Sequence, residues 1–375
     1  MLANRKEINI NNRLFYKASR ERTPLNGTFE LTPLCNLDCK MCYIKMTKSE
    51  MDNVGNLRSN NEWLEIAKQA KEEGLLYLLL TGGEVFSIPN FKDLYLELKN
   101  IGFIISINSN GTLINDSTIE WLSKSPPSRI NITLYGASNE TYEKLCGDSR
   151  GFDKVSKAID MLLEIGVEIK LNCSLTPFNI HDLEEIHKFA NEKKLVLQVS
   201  SYMYPPVRRD NDSIGSNLGR FTAKEAGINF VKNDILSLGV DDFKAKANRC
   251  KNGVEFFESR HGCTNINGNT MACRAGKSSF WISWDGKMQC CGMMNYPASY
   301  PFKNMNFKDA WKQIVKEVDS IRTSIKCLNC SKKFMCISCP AMAVTETGKL
   351  DGTPNYVCEM MNEVLKEMER KVEVI

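Results

Sequence analysis

Three cysteines within eight residues, Cys35-Asn36-Leu37-Asp38-Cys39-Lys40-Met41-Cys42, carry the clearest chemistry in this 375-residue chain. They are spaced C-x3-C-x2-C and follow a short apolar run, Phe29 to Leu34. A loop this tight can bring three sulfurs onto one inorganic cluster, and it supplies no fourth. In a cuboidal [4Fe–4S] cluster held by cysteine thiolates, that leaves one iron open to an outside ligand. An open iron suggests chemistry, whereas full ligation suggests storage or transfer of electrons. The alternative is a zinc loop, but zinc favours paired C-x2-C or mixed Cys/His sets, which this spacing does not match.

The other cysteines point the same way. The chain has 15 Cys but only 3 His (His181, His187, His261), which disfavours zinc or haem centres built on imidazole. The N-terminus is polar and charged without a secretory apolar stretch, and no apolar run approaches a membrane span, so a cytoplasmic location is expected. Disulfides are then not expected, and metal or cluster ligation comes first. Ten Cys lie from Cys250 onward. Cys273 precedes an aromatic hairpin, Ser279 to Trp284, turning at Asp285-Gly286 into Lys287 to Cys291. Cys327-x2-Cys330-x5-Cys336-x2-Cys339-Pro340 and then Cys358 follow. The pairs could suggest a zinc ribbon, but the gap is short for one, where roughly 15–20 residues is usual. A ferredoxin-like reading fits the density and the Cys-Pro ending better, although the spacing is not the standard one. Cys146 and Cys173 stand alone and read as small apolar core side chains.

The elements that must position these groups follow from composition and periodicity. Hydrophobic content of 42%, charged content of 25% and a net charge of +4 describe an ordinary globular protein. No basic block suggests a nucleic-acid partner. From residue 28 to 201, β-rich runs alternate with amphipathic helices. The expected strands are Thr28–Thr32, Leu75–Leu80, Phe103–Asn108, Arg129–Leu134, Glu168–Leu175 and Leu195–Ser201, with helices between them. Gly74, Gly102 and Gly166 stand where helix C-caps belong. Six strands and five helices read as a parallel α/β fold, open sheet or partial barrel, with ligands beyond the carboxyl ends of the strands. The rise in Cys density marks a boundary near 240–250. The expected divisions are an N-terminal extension (1–27), a core (28–240) and a Cys-rich domain (241–375).

Thr81-Gly82-Gly83-Glu84 follows the second strand. Two glycines allow close approach of backbone to a ligand, and Glu84 could take an ammonium group; a purely structural turn is the plainer reading. Tyr202 to Arg220 forms a long loop after the sixth strand, either a lid or a linker. Within it Arg208 and Arg209 would suit a substrate carboxylate or solvent.

The Cys35/Cys39/Cys42 spacing resembles the radical S-adenosylmethionine (SAM) family, and that resemblance selects a partial (β/α)6 barrel. It implies that the open iron holds SAM and that Gly82, Gly83 and Glu84 match a GGE motif contacting the methionyl amino group. Asn110, in Asn108 to Thr112, and Thr133 match segments near the cofactor, although Tyr135 stands where an Asp is common. Met41 and Tyr43 could pack on adenine or serve as plain core. The C-terminal pattern resembles the SPASM extension, a small Cys-rich domain with a hairpin and helices holding two auxiliary [4Fe–4S] clusters. Carry-over assigns Cys273, Cys291 and Cys339 to one cluster, and Cys327, Cys330, Cys336 and Cys358 to the other. Ser279 stands where some relatives have a fourth Cys, leaving an open iron or a ligand from Cys250, Cys263 or Cys290. The resemblance implies reductive cleavage of SAM to a 5′-deoxyadenosyl radical that abstracts hydrogen from a peptide or protein substrate, ending in a thioether or carbon–carbon crosslink or a related oxidation. Implied partners are a reductant such as flavodoxin or ferredoxin and, since the 27 leading residues are too short for a fused recognition domain, a separate peptide-recognition protein. Competing expectations are formylglycine formation by an anaerobic sulfatase-maturating enzyme, disfavoured by Gly292 after Cys291 where that group has an acid, peptide epimerisation, and a non-catalytic Fe–S electron carrier.

Overall fold

A computed structural model of the chain describes residues 10–251, 271, 273–303, 305–333 and 335–375. Six strands lie where the alternating runs predict them: β1 (Asn26–Glu30), β2 (Tyr77–Thr81), β3 (Ile104–Ser109), β4 (Arg129–Thr133), β5 (Ile169–Ser174) and β6 (Val196–Ser200). They pair in parallel, each with its sequence neighbour. Because parallel crossovers are right-handed, a sequential order puts every helix on one face of the sheet. That is the winding of a partial barrel rather than of a doubly wound sheet.

The pleat sorts the residues. Leu78, Leu80, Ile105, Ile107, Ile130, Ile132, Ile169 and Leu171 are buried together with helix residues such as Trp63, Leu94, Leu98, Ile159 and Ile186. The opposite face carries Ser106, Asn108, Asn131, Thr133, Lys170, Asn172 and Gln198, which are half-buried or exposed. Asn131 donates across it to Asn108 (2.8 Å), and Lys170 to Gln198. The inner face of the barrel is therefore polar.

β1 ends two residues sooner than expected. Past Leu31 the chain leaves the ladder, and the carbonyls of Thr32 and Leu34 accept from the backbones of Gly83 (2.6 Å) and Glu84 (3.0 Å). Between residues 28 and 201, two α-helices were not anticipated, Lys48–Val54 and Asn139–Cys146. Thr47 with Glu50 forms a capping box, a signal legible in the sequence, and Ser138 caps the other helix.

The aromatic hairpin forms as expected, with β7 (Ser279–Ile282) antiparallel to β8 (Met288–Gln289), and β9 (Ala298–Ser299) adds beyond it. Its placement was not foreseen: β7 joins the core sheet in parallel with β1, so the Cys-rich part continues the sheet. Phe280 of β7 crosses directly over Gly27, where a Cβ would lie 2.4 Å from its ring.

Helix Ala223–Leu238 packs on the C-terminal helix Asn355–Val374, contributing Ala226 and Val231 to a second core with Val357, Met360 and Val364. It begins with a capping box, Thr222 and Glu225. Thr222→Ala is expected to lower stability by about 1 kcal/mol in urea titrations, the usual worth of an N-cap.

Candidate active site

The three-cysteine loop leaves the carboxyl end of β1 and is tied to its neighbours through its backbone. Asp38 N donates to the Cys146 carbonyl (2.7 Å) and Lys40 N to that of Leu145 (3.1 Å). Both acceptors are carbonyls at the end of helix Asn139–Cys146 that lack helical partners. Lys45 pairs with Asp38 at 2.6 Å across the loop.

The sulfurs have directed donors. Leu37 N (3.4 Å) and Asn110 Nδ2 (3.7 Å) point at Cys35 Sγ, and Lys45 N at Cys42 Sγ (3.3 Å). Burial pushes the Cys35 thiol up to about 12 and raises Cys42 as well. Cys39 moves the other way. A hydrogen bond from Cys146 and, after opposing burial, one from Tyr135 hold its thiol below the usual range. Neither Cys146 nor Tyr135 is assigned to the loop by the sequence, where Cys146 reads as a lone core position and Tyr135 as standing where an Asp is common.

Gly82 and Gly83 are required by the loop itself. A Cβ on Gly83 would lie 2.1 Å from the Leu34 carbonyl oxygen, and one on Gly82 2.7 Å from that of Thr32. Glu84 is wholly buried. Its carboxylate accepts from Asn110 N (2.7 Å), Ser109 Oγ (2.9 Å) and Phe86 N (3.1 Å), joining the ends of β2 and β3, and burial raises its pKa. Asn110 links the end of β3 to the cysteine loop: Nδ2 donates to Asn36 Oδ1 (3.0 Å), and Oδ1 accepts from Thr112. Asn36 completes the ring by donating to Thr112 Oγ1 (2.8 Å). Thr133 ends β4 on the polar inner face. Met41 is core packing. The buried Tyr43 hydroxyl is raised first by burial and then by Glu30, with Arg208 opposing.

Cys273, Cys291 and Cys339 all pack at the edge of the main core; Cys291 feels the charge of the other two, and the Tyr204 hydroxyl lies 3.9 Å from Cys339 Sγ. Cys290, one candidate fourth ligand, is buried close to Cys291 and Cys273, whereas Cys250 packs in the second core near Lys246 and Asp234. Cys263 lies outside the described residues. Cys358 feels the charge of Cys327 and Cys330, and Cys336 Sγ accepts from Ser338 N (3.4 Å).

Between the cysteine loop and Cys291 stands a buried ion pair. Arg208 makes two bonds to Glu30, at 2.7 and 2.8 Å, and a third to the Gly292 carbonyl at 2.9 Å. Trp281 Nε1 also donates to Glu30, at 2.9 Å. Arg208 is thus committed to Glu30 rather than held free for a substrate carboxylate, while Arg209 is exposed. Gly292 lies against the Trp281 ring, where a Cβ would come within 2.6 Å, so no acidic side chain fits there without repacking.

Among the described residues no three Cys, His, Asp or Glu side chains converge on a point that would hold a single metal ion. A four-iron cluster makes a different demand, one thiolate per iron. Three neighbouring thiols and backbone and amide N–H groups aimed at sulfur fit that group.

Residues 29–190 match the family model of the Radical SAM superfamily. The "AdoMet-dependent heme synthase" of Methanosarcina barkeri is 23% identical over 85% of this chain and 92% of its own length. The "Sporulation killing factor maturation protein SkfB" of Bacillus subtilis is 21% identical, over 74% of this chain and 62% of its own length, so the chain spans under two thirds of that relative. Streptococcus suis SuiB, solved "bound to precursor peptide SuiA", superposes with a TM-score of 0.66 at 20% identity, covering 96% of this chain and 84% of that one, which establishes a shared fold. The three-cysteine loop at the mouth of a singly wound parallel sheet lies inside the matched segment, and residues 29–190 are a Radical SAM domain.

Proposed function

We propose that this protein is a peptide- or protein-modifying radical SAM maturase that abstracts hydrogen from its substrate and completes a thioether, a carbon–carbon crosslink or a related oxidation. The observation that carries the reading is the polar inner face of the barrel, lying beyond the cysteine loop and lined by Asn108, Asn131, Thr133, Asn172 and Gln198. Side-chain amides and hydroxyls suit a peptide backbone, whose N–H and C=O groups need partners once water is excluded.

Cys35, Cys39 and Cys42 would hold a [4Fe–4S] cluster with SAM at its open iron, and the pair supplies a 5′-deoxyadenosyl radical when bound. Gly82, Gly83, Glu84, Asn110 and Thr133 would shape the SAM site. In this reading Glu84 acts mainly by fixing the β2 and β3 ends, with one acceptor position left for the amino group. Cys273, Cys291 and Cys339, and Cys327, Cys330, Cys336 and Cys358, would hold two auxiliary clusters that take up the substrate's electron or bind its sulfur, in a SPASM-like domain over 241–375. A flavodoxin or ferredoxin would deliver the first electron. SkfB, named for maturation, and SuiB, solved with a precursor peptide, support a peptide substrate. The packing of Gly292 against Trp281 weighs against a formylglycine-forming enzyme with its base at that position.

A second reading, oxidation of a heme precursor, rests on the near full-length match to the heme synthase. The apolar macrocycle of such a substrate suits the polar barrel face less well.

The test uses protein reconstituted anaerobically with iron and sulfide, then given dithionite and SAM. About twelve irons are expected, from three four-iron clusters, with release of 5′-deoxyadenosine. Candidate peptides and a heme precursor are supplied in separate arms. Loss of a hydrogen pair from a peptide, with no change in the heme precursor, is the expected outcome. Cluster-replete protein that releases no deoxyadenosine would return the chain to the electron carriers.

A further inference from the structure

The nine-stranded sheet has two edges, and they are finished differently. At one end stands β9, only two residues long, and very short edge strands are a common protection against unwanted pairing. At the other stands β6, Val196-Leu197-Gln198-Val199-Ser200, with no charge and no proline. A strand of this composition pairs readily with another unless something shields it. Among the described residues, no strand lies on its outer side.

The ladder shows which backbone groups face out. Leu175 N donates to the Ser200 carbonyl at 2.8 Å, so the backbone of Ser200 faces β5. Backbone direction alternates along a strand, so Val196 and Gln198 also face β5, while the N–H and C=O groups of Leu197 and Val199 face outward. The side chains of Val196, Gln198 and Ser200 lie on the inner face of the barrel and are exposed, Val196 at 67%. On β1 the inner-face residues Thr28 and Glu30 are buried instead. Among the described residues, the inner face is therefore covered at β1 and open at β6.

A lysine stands beside this opening. Lys170 of β5 donates to Gln198, a neutral amide. Among the described residues no carboxylate pairs with it, and Glu168, two residues earlier, accepts from Arg129 Nε at 2.8 Å. Burial, and after it the charge of Arg129, push the Lys170 ammonium below its usual range.

We infer that the outer edge of β6 is a docking strand for an extended, acidic stretch of the substrate peptide. Leu197 and Val199 supply the main-chain donors and acceptors of strand addition. Alternate side chains of the added strand point into the barrel past Gln198, where a carboxylate meets Lys170. β6 runs parallel to its neighbours, so its carboxyl end lies at the same mouth as the cysteine loop and the seated peptide leads there. The inference rests on the peptide-maturase reading.

The experiment measures fluorescence anisotropy on the reconstituted full-length protein without SAM or reductant. The probe is a fluorescein-labelled peptide of alternating threonine and glutamate, long enough to span β6. It should bind, and a threonine–lysine peptide should bind about tenfold more weakly. Two further probes carry backbone N-methyl groups on either the threonines or the glutamates. Because an added strand uses one of its edges, one of these probes should lose binding and the other keep it. Val199→Pro removes an outward N–H that the β5 ladder does not use and should weaken the glutamate probe about tenfold. Lys170→Met should weaken it about fivefold. No binding of the glutamate probe, or equal binding of the two N-methylated probes, would overturn the inference, and neither result depends on a variant that folds. A wild-type dimer that Val199→Pro converts to monomer in sedimentation would give the edge to a second copy and overturn it as well. SAM cleavage is read separately: probe docking without deoxyadenosine release counts against the maturase reading, whereas lost docking with release intact counts against the edge alone.

Discussion

Arg208→Met should lower folding stability by about 3–5 kcal/mol, the cost of leaving a buried charge without its partner. Glu30 is 0% exposed, and both its oxygens are taken by the guanidinium. Among the described residues, removing Arg208 leaves only the Trp281 N–H to compensate a carboxylate cut off from water. The Gly292 carbonyl loses its donor in the same step. The double variant Glu30→Gln/Arg208→Met removes the stranded charge and should regain more than half of the loss, since buried ion pairs are costly to break and much less costly to replace. Urea titrations of the reconstituted single and double variants measure both quantities. A single-variant loss under about 1 kcal/mol would mean that water reaches the pair, as at a surface salt bridge.

Gly83→Ala should be nearly as damaging, about 3 kcal/mol, at the upper end of the usual overpacking range. The added methyl meets backbone on one side: the Leu34 oxygen at 2.1 Å, the Leu34 carbon at 2.5 Å and the Pro33 oxygen at 3.0 Å. No side chain can swing away to admit it. The two segments are also stitched at this point by Gly83 N to Thr32 O and Glu84 N to Leu34 O. Relief therefore requires moving the segment that leads into Cys35, and iron loading should fall along with stability. Gly55→Ala is the control, since its backbone is extended and its nearest neighbour would lie at an ordinary 3.7 Å. Equal melting temperatures and iron contents for Gly83→Ala and Gly55→Ala would show that the β2 turn yields more easily than its contacts indicate.

Much of this architecture is legible in the sequence because it is written locally. Alternating runs mark β1 to β6, Gly102 marks the end of helix Phe91–Ile101, and Asp285-Gly286 marks the hairpin turn. The C-x3-C-x2-C loop is legible for the same reason: its chemistry lies within eight residues. What escaped depends on contacts between distant positions. Arg208 reaches Glu30 across 178 residues, and an arginine in a polar loop gives no sign that it will be buried. Cys146 has the plain look of a core residue, and it is one; only the fold shows that its core includes Cys39. The pairing of β7 with β1 was hidden because an aromatic hairpin is satisfied equally well by a sheet of its own. Glu84 shows the converse, a residue chosen for a ligand contact whose carboxylate is largely occupied by the protein.

The seating of β7 on β1 also orders events at the ribosome. Glu30 is synthesised 178 residues ahead of Arg208 and 251 residues ahead of Trp281. At about 5–20 residues per second, Trp281 follows Glu30 by roughly 13–50 s. Throughout that interval the nascent barrel has one flank of β1 unpaired, with Glu30 on that strand lacking first both of its donors and then one. An unpaired strand edge invites association with other chains, so the growing polypeptide stays open to such pairing until the hairpin emerges and docks.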